Sequence, residues 1–305
     1  MSASHPRSGR KGEKVDFKKL SASFEHSYGR ESLALVAHLR DAYPEVTKPG
    51  RRTGNALPKI CFFVWSSCRD GERDLIPTLV HAAVLLAAQD DYFDNRRIPT
   101  AEKESFRAAM NRGLRTNSVR VQSKGSPQLR DLTSLWSYVA GTIPQGVPEV
   151  RSYWVETVCQ LNDAMAEENR AIRRATITYD EYMRSAVDSM GMVFIWTTYL
   201  ANRHVPMTTL RELAPVLVRG AMVARLSNDI ASYREDKKKR NAVTLVGGKN
   251  PRARILRRAA QESCVFHERV EALDLSPRVR GVLLHSIDFL REFYLRFNFD
   301  GGPAS

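Results

Sequence analysis

The sequence has no long hydrophobic run. No segment approaches the roughly 20 uncharged apolar residues that a membrane-spanning helix needs, and the opening residues, MSASHPRSGRKGEK, lack the apolar centre of a signal peptide. We therefore expect a cytoplasmic protein without stable membrane insertion. With 305 residues, 43% of them apolar, the chain can still bury a sizeable core.

Cysteine is also scarce. The four cysteines form no CxxC pair, and no histidine-rich segment accompanies them. The pattern therefore favours neither a zinc site nor a disulfide framework, and we expect reduced thiols packed in the fold. The cysteines are Cys61, Cys68, Cys159 and Cys264.

Acidic residues are fewer than basic ones. Asp and Glu number 34 against 47 Lys and Arg, which gives a formal charge of +13. This charge fits a nucleic-acid binder, a membrane-surface protein or an enzyme for a polyanionic substrate. Part of it lies in a basic leader, residues 1–16, which we expect to be flexible. The remainder forms no stripe interleaved with aromatic residues, so charge alone leaves the three classes open.

Alternating strand patterns are nearly absent. Apolar residues recur at helical spacing, and Gly and Pro fall between the periodic segments. The sequence therefore predicts an all-α protein, with residues 17–305 forming one domain. The predicted helices lie near residues 30–43, 58–69, 75–95, 100–111, 127–139, 148–172, 179–202, 207–236, 250–270 and 276–297.

Two of these segments differ from ordinary amphipathic helices. Residues 75–88 are apolar nearly all round, which is typical of a helix enclosed by others. Residues 213–236 begin with Pro215, a residue tolerated in the first turn of a helix, and stay apolar through Val223. Both segments end in polar clusters, so one function could explain the polar ends of two buried helices.

The first cluster is Asp90, Asp91 and Asp94. On a helix, Asp90 and Asp94 share one face at spacing i, i+4, and Asp91 lies beside them. A cation would offset the repulsion and desolvation of three carboxylates, and Mg²⁺ prefers such oxygen ligands. The alternative is a solvated helix end whose carboxylates meet Arg96 and Arg97.

The second cluster lies on the later apolar helix. Asn228, Ser232 and Asp236 are spaced i, i+4, i+8, so their oxygens form one stripe that can hold a magnesium ion. Arg225 lies one turn earlier on nearly the same stripe, where its guanidinium could bind a phosphate through two nitrogens. The two clusters together favour a metal site for a phosphorylated substrate.

The pair of motifs, DDxxD and (N/D)Dxx(S/T)xxx(E/D), about 140 residues apart, resembles that of the class I terpene synthases, especially the bacterial single-domain enzymes. The resemblance implies an all-helical isoprenoid synthase bundle with a central active site. It further implies a lyase that ionises an isoprenoid diphosphate and then cyclises or rearranges the carbocation. The resemblance extends over residues 20–300, approximately.

The resemblance also implies roles for individual residues. Asp90, Asp91 and Asp94 match the aspartate-rich motif, which would hold two of three Mg²⁺ ions. Asn228, Ser232 and Asp236 would hold the third ion. Arg225 fits an arginine that contacts the diphosphate. The family's C-terminal Arg-Tyr pair closes over the diphosphate; it is matched here by Arg296, with Phe297 in place of the tyrosine and Tyr294 one turn away.

Departures from the family pattern bear on the substrate. Bacterial sesquiterpene synthases often carry a diphosphate-sensing arginine four positions after a tyrosine; here Tyr182 is followed by Ala186 at that position, and the nearest arginine is Arg184. The runs YDEYMRSAVDSMG and NDIASYRED instead resemble the bacterial ent-kaurene-synthase type. This implies a C20 substrate, a copalyl-type or geranylgeranyl diphosphate, with a class II diterpene cyclase as the supplier of the copalyl type.

A carbocation needs a dry cavity, and aromatic faces stabilise cationic carbon. Phe62 and Trp65 on one helix, and Phe194 and Trp196 on another, are candidates to contact the substrate. The resemblance also implies a helix break near Asp188 to Gly191. Asn162 and Asp163 superficially copy the second metal motif but lack its hydroxyl, so we assign them no metal.

Three alternatives stay open. A sesquiterpene synthase would use farnesyl diphosphate, and a prenyl chain-elongating transferase would share the helical architecture. A basic helical nucleic-acid-binding protein would explain the charge but not the stripes of oxygen ligands. We expect a small-molecule diphosphate substrate, no nucleic acid, and a monomer or homodimer.

Overall fold

The computed structural model describes residues 17–68, 72–118, 126–173, 176–235 and 240–296. These ranges contain twelve helices and no strand, which confirms the all-α prediction. Within them no helix is both long and apolar enough to cross a membrane. The leader, residues 1–16, lies outside the described residues, so its flexibility and the domain boundary at residue 17 stay predictions. The helices are α1 (Phe17–Ala42), α2 (Arg52–Ser67), α3 (Ile76–Asp94), α4 (Thr100–Arg115), α5 (Pro127–Thr142), α6 (Pro148–Arg173), α7 (Tyr179–Ser189), α8 (Met192–Asn202), α9 (Met207–Glu235), α10 (Ala242–Val246), α11 (Pro251–Ala272) and α12 (Pro277–Arg296).

Helix α3 is enclosed by other helices, as its all-round apolar sequence predicts. It packs against α2, α5, α6 and α8. Leu79, Val84 and Leu85 are between 0% and 4% exposed. The burial of α3 carries its acidic end to one end of the bundle, beside residues of α2, α6 and α9.

The segment predicted as one helix over residues 179–202 is broken into α7 and α8. Gly191 precedes the first residue of α8 with a φ of +72°, a left-handed conformation that favours glycine. A Cβ at this position would overlap the side chain of Leu86 on α3. Glycine therefore permits both the backbone turn and its close approach to α3, and the implied break is confirmed.

Two prolines lie inside helices rather than at their starts. Helix α2 begins at Arg52, so Pro58 is internal, and α9 begins at Met207, which places Pro215 two turns inside. The prediction that Pro215 lies in a first turn was therefore wrong. Both prolines lie on exposed faces of their helices, and each removes one helical N–H donor.

A buried ion-pair cluster fixes the start of α3. Glu72, fully buried, accepts hydrogen bonds from Tyr199 Oη at 3.0 Å, Arg203 Nε at 2.7 Å and Arg278 Nε at 2.6 Å. Arg203 also binds the exposed Asp74. The cluster joins the segment before α3 to the end of α8 and the start of α12.

Candidate active site

The aspartates that end α3 bind different partners. Asp91 Oδ2 accepts hydrogen bonds from the backbone N of Thr53 at 2.8 Å and from its Oγ1 at 2.6 Å. Because the first N–H groups of a helix lack helical partners, Asp91 caps α2. Asp90 and Asp94 face Arg52 instead, whose Nη1 lies 2.6 Å from Asp90 Oδ2 and 3.6 Å from Asp94 Oδ2.

The arginine at the acidic cluster thus comes from α2. In the described part of the chain, neither Arg96 nor Arg97 forms an ion pair with these carboxylates. Asp90 and Asp94 keep 43% and 58% of their side-chain surface exposed. They are therefore open to a further ligand while Arg52 holds them from one side.

Asp90 lies where charges from several helices meet. Burial raises the pKa of its carboxyl, Arg52 opposes that shift, and the nearby carboxylates of Glu168 and Asp91 raise the pKa further. Arg225 acts in the opposite direction. The ends of α3, α6 and α9 therefore meet at one site, and a carboxylate placed there gains from additional positive charge.

Asn169 ties α6 to the end of α3. Its Nδ2 donates to the Phe93 carbonyl and to Asp94 Oδ1, both at 3.0 Å. The amide thereby satisfies a carbonyl at the helix end and orients the Asp94 carboxylate. The sequence analysis assigned Asn169 no role.

Helix α9 brings Arg225, Asn228 and Ser232 to the same end of the bundle. Asn228 is half-buried, and its side chain makes no hydrogen bond to any described residue. Ser232 is buried; its Oγ donates to the Asp229 carbonyl at 3.2 Å and accepts from Asn241 Nδ2 at 3.3 Å. Asp236, the last residue of the predicted stripe, lies outside the described residues.

Arg225 is held by protein groups at its Nε and Nη2 atoms. Its Nη2 lies 2.5 Å from Glu168 Oε1, its Nε lies 3.1 Å from Asp229 Oδ1, and its guanidinium carbon lies 5.0 Å from the centre of the Tyr182 ring. Burial acts to lower the pKa of Arg225, but Asp229 and Glu168 raise it on balance. The guanidinium is charged, oriented and 13% exposed.

Asp229, which follows Asn228, holds three elements together. The Tyr182 hydroxyl donates to its Oδ2 at 2.9 Å, and the backbone N of Ala242 donates to the same oxygen at 2.8 Å. With the Arg225 contact, this 2%-exposed carboxylate connects α7, α9 and α10. The motif's aspartate is thus a structural anchor beside the predicted metal ligand.

Glu168, which no sequence motif indicates, lies beside Arg225 and Asp90. Its Oε1 binds Arg225, and its Oε2 accepts a short hydrogen bond from Ser189 Oγ at the end of α7. A signal was available, because Glu168 continues the buried stripe of α6 at spacings of three and four residues. The preceding members of that stripe are Trp154, Val158, Leu161 and Met165.

Asn162 and Asp163 form contacts between helices. Asn162 is 2% exposed; its Oδ1 accepts from Gln89 Nε2 and its Nδ2 donates to Asn111 Oδ1, both at 2.7 Å. Asp163 forms an ion pair with Arg107. These contacts tie α6 to α3 and α4.

The donor set at the acidic end fits magnesium. In the ranges the structure describes, no three His, Cys, Asp or Glu side chains converge as a ready-made metal site. Mg²⁺ keeps several waters and is commonly held by one or two carboxylates together with substrate phosphates. The open carboxylates of Asp90 and Asp94 and the amide of Asn228 supply hard oxygen ligands of that kind.

An apolar stripe on α3 leads to Asp90. Ala83, Leu86, Ala87 and Asp90 are partly exposed, although the residues between them in the chain are buried. Their spacing, i, i+3, i+4 and i+7, places them on one side. Phe62 of the neighbouring α2 is also partly exposed, whereas Trp65 is 7% exposed.

Phe194 and Trp196 are packed in the core. Phe194 is 1% exposed, with its ring centre 5.7 Å from that of Trp136 and 6.1 Å from that of Trp154. Trp196 stacks on Phe266 at 5.7 Å, and its Nε1 donates to Ser286 Oγ at 3.0 Å. Both side chains are buried among aromatic rings, and their predicted contact with a substrate stays a prediction.

The C-terminal candidates lie on α12. Tyr294 is 4% exposed, with its ring centre 5.7 Å from that of Phe293. Arg296 is the last residue of the helix, and its side chain lies outside the described part of the structure. Its predicted contact with diphosphate stays a prediction.

A cavity of about 190 Å³ lies on the far side of Asn169, between α3, α4 and α6. Its lining includes the charged side chains of Lys103, Glu104 and Arg170. Ligand pockets usually measure roughly 300–1,000 Å³ and are mainly apolar. This cavity is therefore not the hydrocarbon site.

Comparisons with known proteins bear on this site. A family model described as "Terpene synthase family 2, C-terminal metal binding" matches residues 82–247, more than half of the chain. The match includes Asp90, Asp91, Asp94, Asn228, Ser232 and Asp236. At the level of sequence alone, no curated protein matches.

Solved structures share the fold. Abietadiene synthase from Abies grandis superposes with a TM-score of 0.70 at 10% identity, over 93% of this chain and 39% of that one. Linalool/nerolidol synthase from Streptomyces clavuligerus superposes with a TM-score of 0.68 at 12% identity, over 87% and 95%. The latter enzyme in complex with 2-fluorogeranyl diphosphate gives 0.66 at 13% identity, over 87% and 94%. This chain thus spans 39% of the length of the first enzyme and nearly all of the second.

Proposed function

The chain belongs to the terpene synthase family, and from that premise we propose that it ionises a C20 isoprenoid diphosphate with magnesium. The carbocation that results is cyclised or rearranged. The bundle is that of a class I terpene synthase. The family match supports an enzyme over the nucleic-acid-binding alternative. A polyanionic substrate would also account for the positive charge of the site.

One observation carries the proposal. The partly exposed apolar stripe of α3 leads directly to Asp90, beside Arg52, Glu168 and Arg225. An isoprenoid diphosphate has the same two parts, a long hydrocarbon and a small polyanion. The apolar stripe therefore suits the hydrocarbon part of such a substrate, and the charged end of the site suits its diphosphate.

The protein groups act on the charge that develops during ionisation. When the carbon–oxygen bond breaks, the electron pair leaves with the diphosphate. Arg52 and Arg225, both held by carboxylates, are oriented to stabilise that charge without reorganising. Bound magnesium would supply further positive charge at the leaving group. The apolar stripe on α3 keeps water from the hydrocarbon end.

We assign the metal ligands as follows. Asp90 and Asp94 hold the ions at the end of α3, and Asn228, Ser232 and Asp236 hold the third ion. Asp91 acts mainly by capping α2, which carries Arg52. This assignment keeps the acidic cluster as a metal site but gives its middle residue a positioning role.

The exposed position of Arg184 supports the C20 assignment. Its side chain is exposed on α7, whereas Tyr182, two residues earlier, is fully buried against Arg225. An arginine that senses diphosphate in the manner of bacterial sesquiterpene synthases is therefore not provided by Arg184. A class II cyclase would supply the substrate if it is a copalyl-type diphosphate.

The test is incubation of the purified protein and Mg²⁺ with geranyl, farnesyl, geranylgeranyl and copalyl diphosphates, followed by mass spectrometry. We expect a hydrocarbon or alcohol from a C20 substrate, and none after chelation of the metal. Product from farnesyl diphosphate alone would indicate a sesquiterpene synthase. Longer diphosphates, formed when isopentenyl diphosphate is added, would indicate a chain-elongating enzyme. No product from any substrate would overturn the proposal.

A further inference from the structure

The positive charge of the chain is concentrated just after the second predicted metal motif. Residues 237–261 contain nine Lys and Arg residues and no Asp or Glu, in a chain whose formal charge is +13. The proposed active site uses none of these cations, so their concentration needs another explanation. Residues 236–239 lie outside the described residues; the cations from Lys249 onward lie at the start of α11.

Several of these cations share one exposed face. Arg254, Arg257 and Arg258 are exposed and lie on one side of α11 at spacing i, i+3, i+4. Arg254 Nη1 donates to two carbonyls at the end of α10, at 3.3 and 3.2 Å. Its side chain therefore lies over the turn between α10 and α11, which carries the exposed Lys249.

A buried carboxylate adds a cation from α9 to this face. Glu262, 3% exposed, binds Arg219 Nη1 at 2.7 Å and Arg258 Nη2 at 2.6 Å. The two arginine side chains keep 46% and 53% of their surface exposed. One buried carboxylate thus holds two guanidinium groups at the surface and leaves a net positive charge. The name α11 basic surface is used below for Arg219, Lys249, Arg254, Arg257 and Arg258.

The positions of the cations are unfavourable for α11 itself. Arg252 and Arg254 lie in its first turn, where the helix dipole is positive and cations destabilise a helix. The first turn contains no acidic residue, and Asn250, the N-cap residue, makes no capping hydrogen bond through its side chain. A bound anion would offset this excess of positive charge.

The α11 basic surface suits an extended anionic surface better than a single small anion. Its cations extend from the turn before α11 to Arg258, two turns into the helix, and across to α9. Leu245, Val246 and Leu256, close to them in the chain, are partly exposed. Peripheral membrane binding combines Lys and Arg with apolar groups in this way. Residues 237–261 contain no aromatic residue on which the bases of a single-stranded nucleic acid could stack.

We propose that the α11 basic surface docks reversibly on the anionic headgroups of a phospholipid bilayer. The cations bind the headgroups, and no helix is inserted. Under the proposed function, docking would hold the enzyme where a C20 diphosphate inserts its hydrocarbon. The binding itself does not depend on the active site, so it can be measured without substrate.

Removal of two cations should weaken this binding strongly. Lys249 and Arg257 are exposed and form no hydrogen bond or ion pair with any described residue, so replacing them should not disturb the fold. Each Lys or Arg near an anionic bilayer strengthens binding roughly fivefold. Lys249→Gln/Arg257→Gln should therefore bind vesicles of about one-third phosphatidylglycerol in phosphatidylcholine about 30-fold more weakly. Lys249→Arg/Arg257→Lys keeps both charges and should bind like the wild type.

Co-sedimentation of the full chain with vesicles measures these affinities. The control, Arg40→Gln/Arg112→Gln, removes the same charge from exposed positions on α1 and α4 and should bind like the wild type. Vesicles of phosphatidylcholine alone should bind none of the proteins. About 1 M salt, where the screening length is about 3 Å, should release the wild type from the anionic vesicles.

Three results would overturn the proposal. The wild type could fail to bind the anionic vesicles, or Lys249→Gln/Arg257→Gln could bind them as tightly as the control does. The wild type could also bind a DNA duplex or polyglutamate more tightly than the vesicles at the same salt concentration, which would assign the surface to a nucleic acid or an acidic protein. If the vesicles bind as expected but no isoprenoid diphosphate is turned over, only the proposed function falls.

Discussion

At the scale of single residues, neighbouring carboxylates in this chain serve different purposes. Asp90 is partly exposed to solvent; burial raises the pKa of its carboxyl, Arg52 opposes that shift, and Glu168 and Asp91 add to it. Asp91 instead gives one oxygen to the backbone and hydroxyl of Thr53. A carboxylate that the fold does not satisfy is a candidate for ligand binding, whereas one that caps a helix stabilises the fold.

This difference predicts contrasting effects of two adjacent substitutions. Asp90→Ala should lower turnover by roughly 100-fold or more, since even supporting residues of metal sites cost 10–100-fold when replaced. It should lower the free energy of unfolding less than Asp91→Ala does, because the ion pair that it removes, with Arg52, is half-exposed. Asp91→Ala should lower the free energy of unfolding by about 1 kcal/mol, the usual loss on removing a helix cap.

Urea denaturation and steady-state kinetics of both variants test this prediction. Equal losses of stability in Asp90→Ala and Asp91→Ala would show that Asp91 does not act as a cap. Full activity in Asp90→Ala would show that the metal assignment is wrong.

At the scale of secondary-structure elements, the break between α7 and α8 depends on one glycine. Gly191 has a φ of +72°, and a Cβ there would overlap Leu86. Gly50 offers a comparison, with a φ of +91° and nothing within 4 Å of a Cβ. Both positions have a left-handed backbone, but only Gly191 lacks room for a Cβ.

Gly191→Ala should therefore destabilise the protein more than Gly50→Ala. The left-handed backbone costs a non-glycine residue about 1–2 kcal/mol at either position, and overpacking against Leu86 adds about 1–3 kcal/mol at Gly191. Chemical denaturation measures both losses, and we also expect Gly191→Ala to change the product profile. Equal losses in the two variants would mean that the contact with Leu86 is not tight.

Element boundaries could be predicted from the sequence only where local chemistry sets them. The apolar pattern of α3 was sufficient to predict that other helices enclose it, because its apolar residues lie on every side. The start of α2 could not be predicted, because its cap is Asp91, 38 positions beyond Thr53 in the chain. Helix α10 was missed because five residues are too few to show periodicity, although Asn241 and Thr244 cap it reciprocally.

At the scale of the whole molecule, the sequence predicted both clusters of the candidate site but not the groups that hold them. Spacing along one helix is sufficient to place Asn228 and Ser232 on one stripe with Arg225. The partners Arg52 and Glu168 come from other helices, and no local pattern pairs them with these residues. Phe194 and Trp196 illustrate the same limit, since composition predicts an apolar environment but not whether it is core or cavity.

The last prediction concerns the cluster around Glu72, which joins parts of the chain more than 200 positions apart. Glu72→Ala should lower the free energy of unfolding by about 3–5 kcal/mol, because it leaves buried positive charge without its partner. Asp74→Ala, at a carboxylate 61% exposed that binds the same Arg203, should cost less than about 1 kcal/mol. The cluster lies roughly 20 Å from Asp90, the length of α3 between them, so folded Glu72→Ala protein should keep its kcat. Similar melting temperatures for the two variants would contradict the structural role assigned to Glu72, and a lowered kcat in folded Glu72→Ala would show that the start of α3 also controls its acidic end.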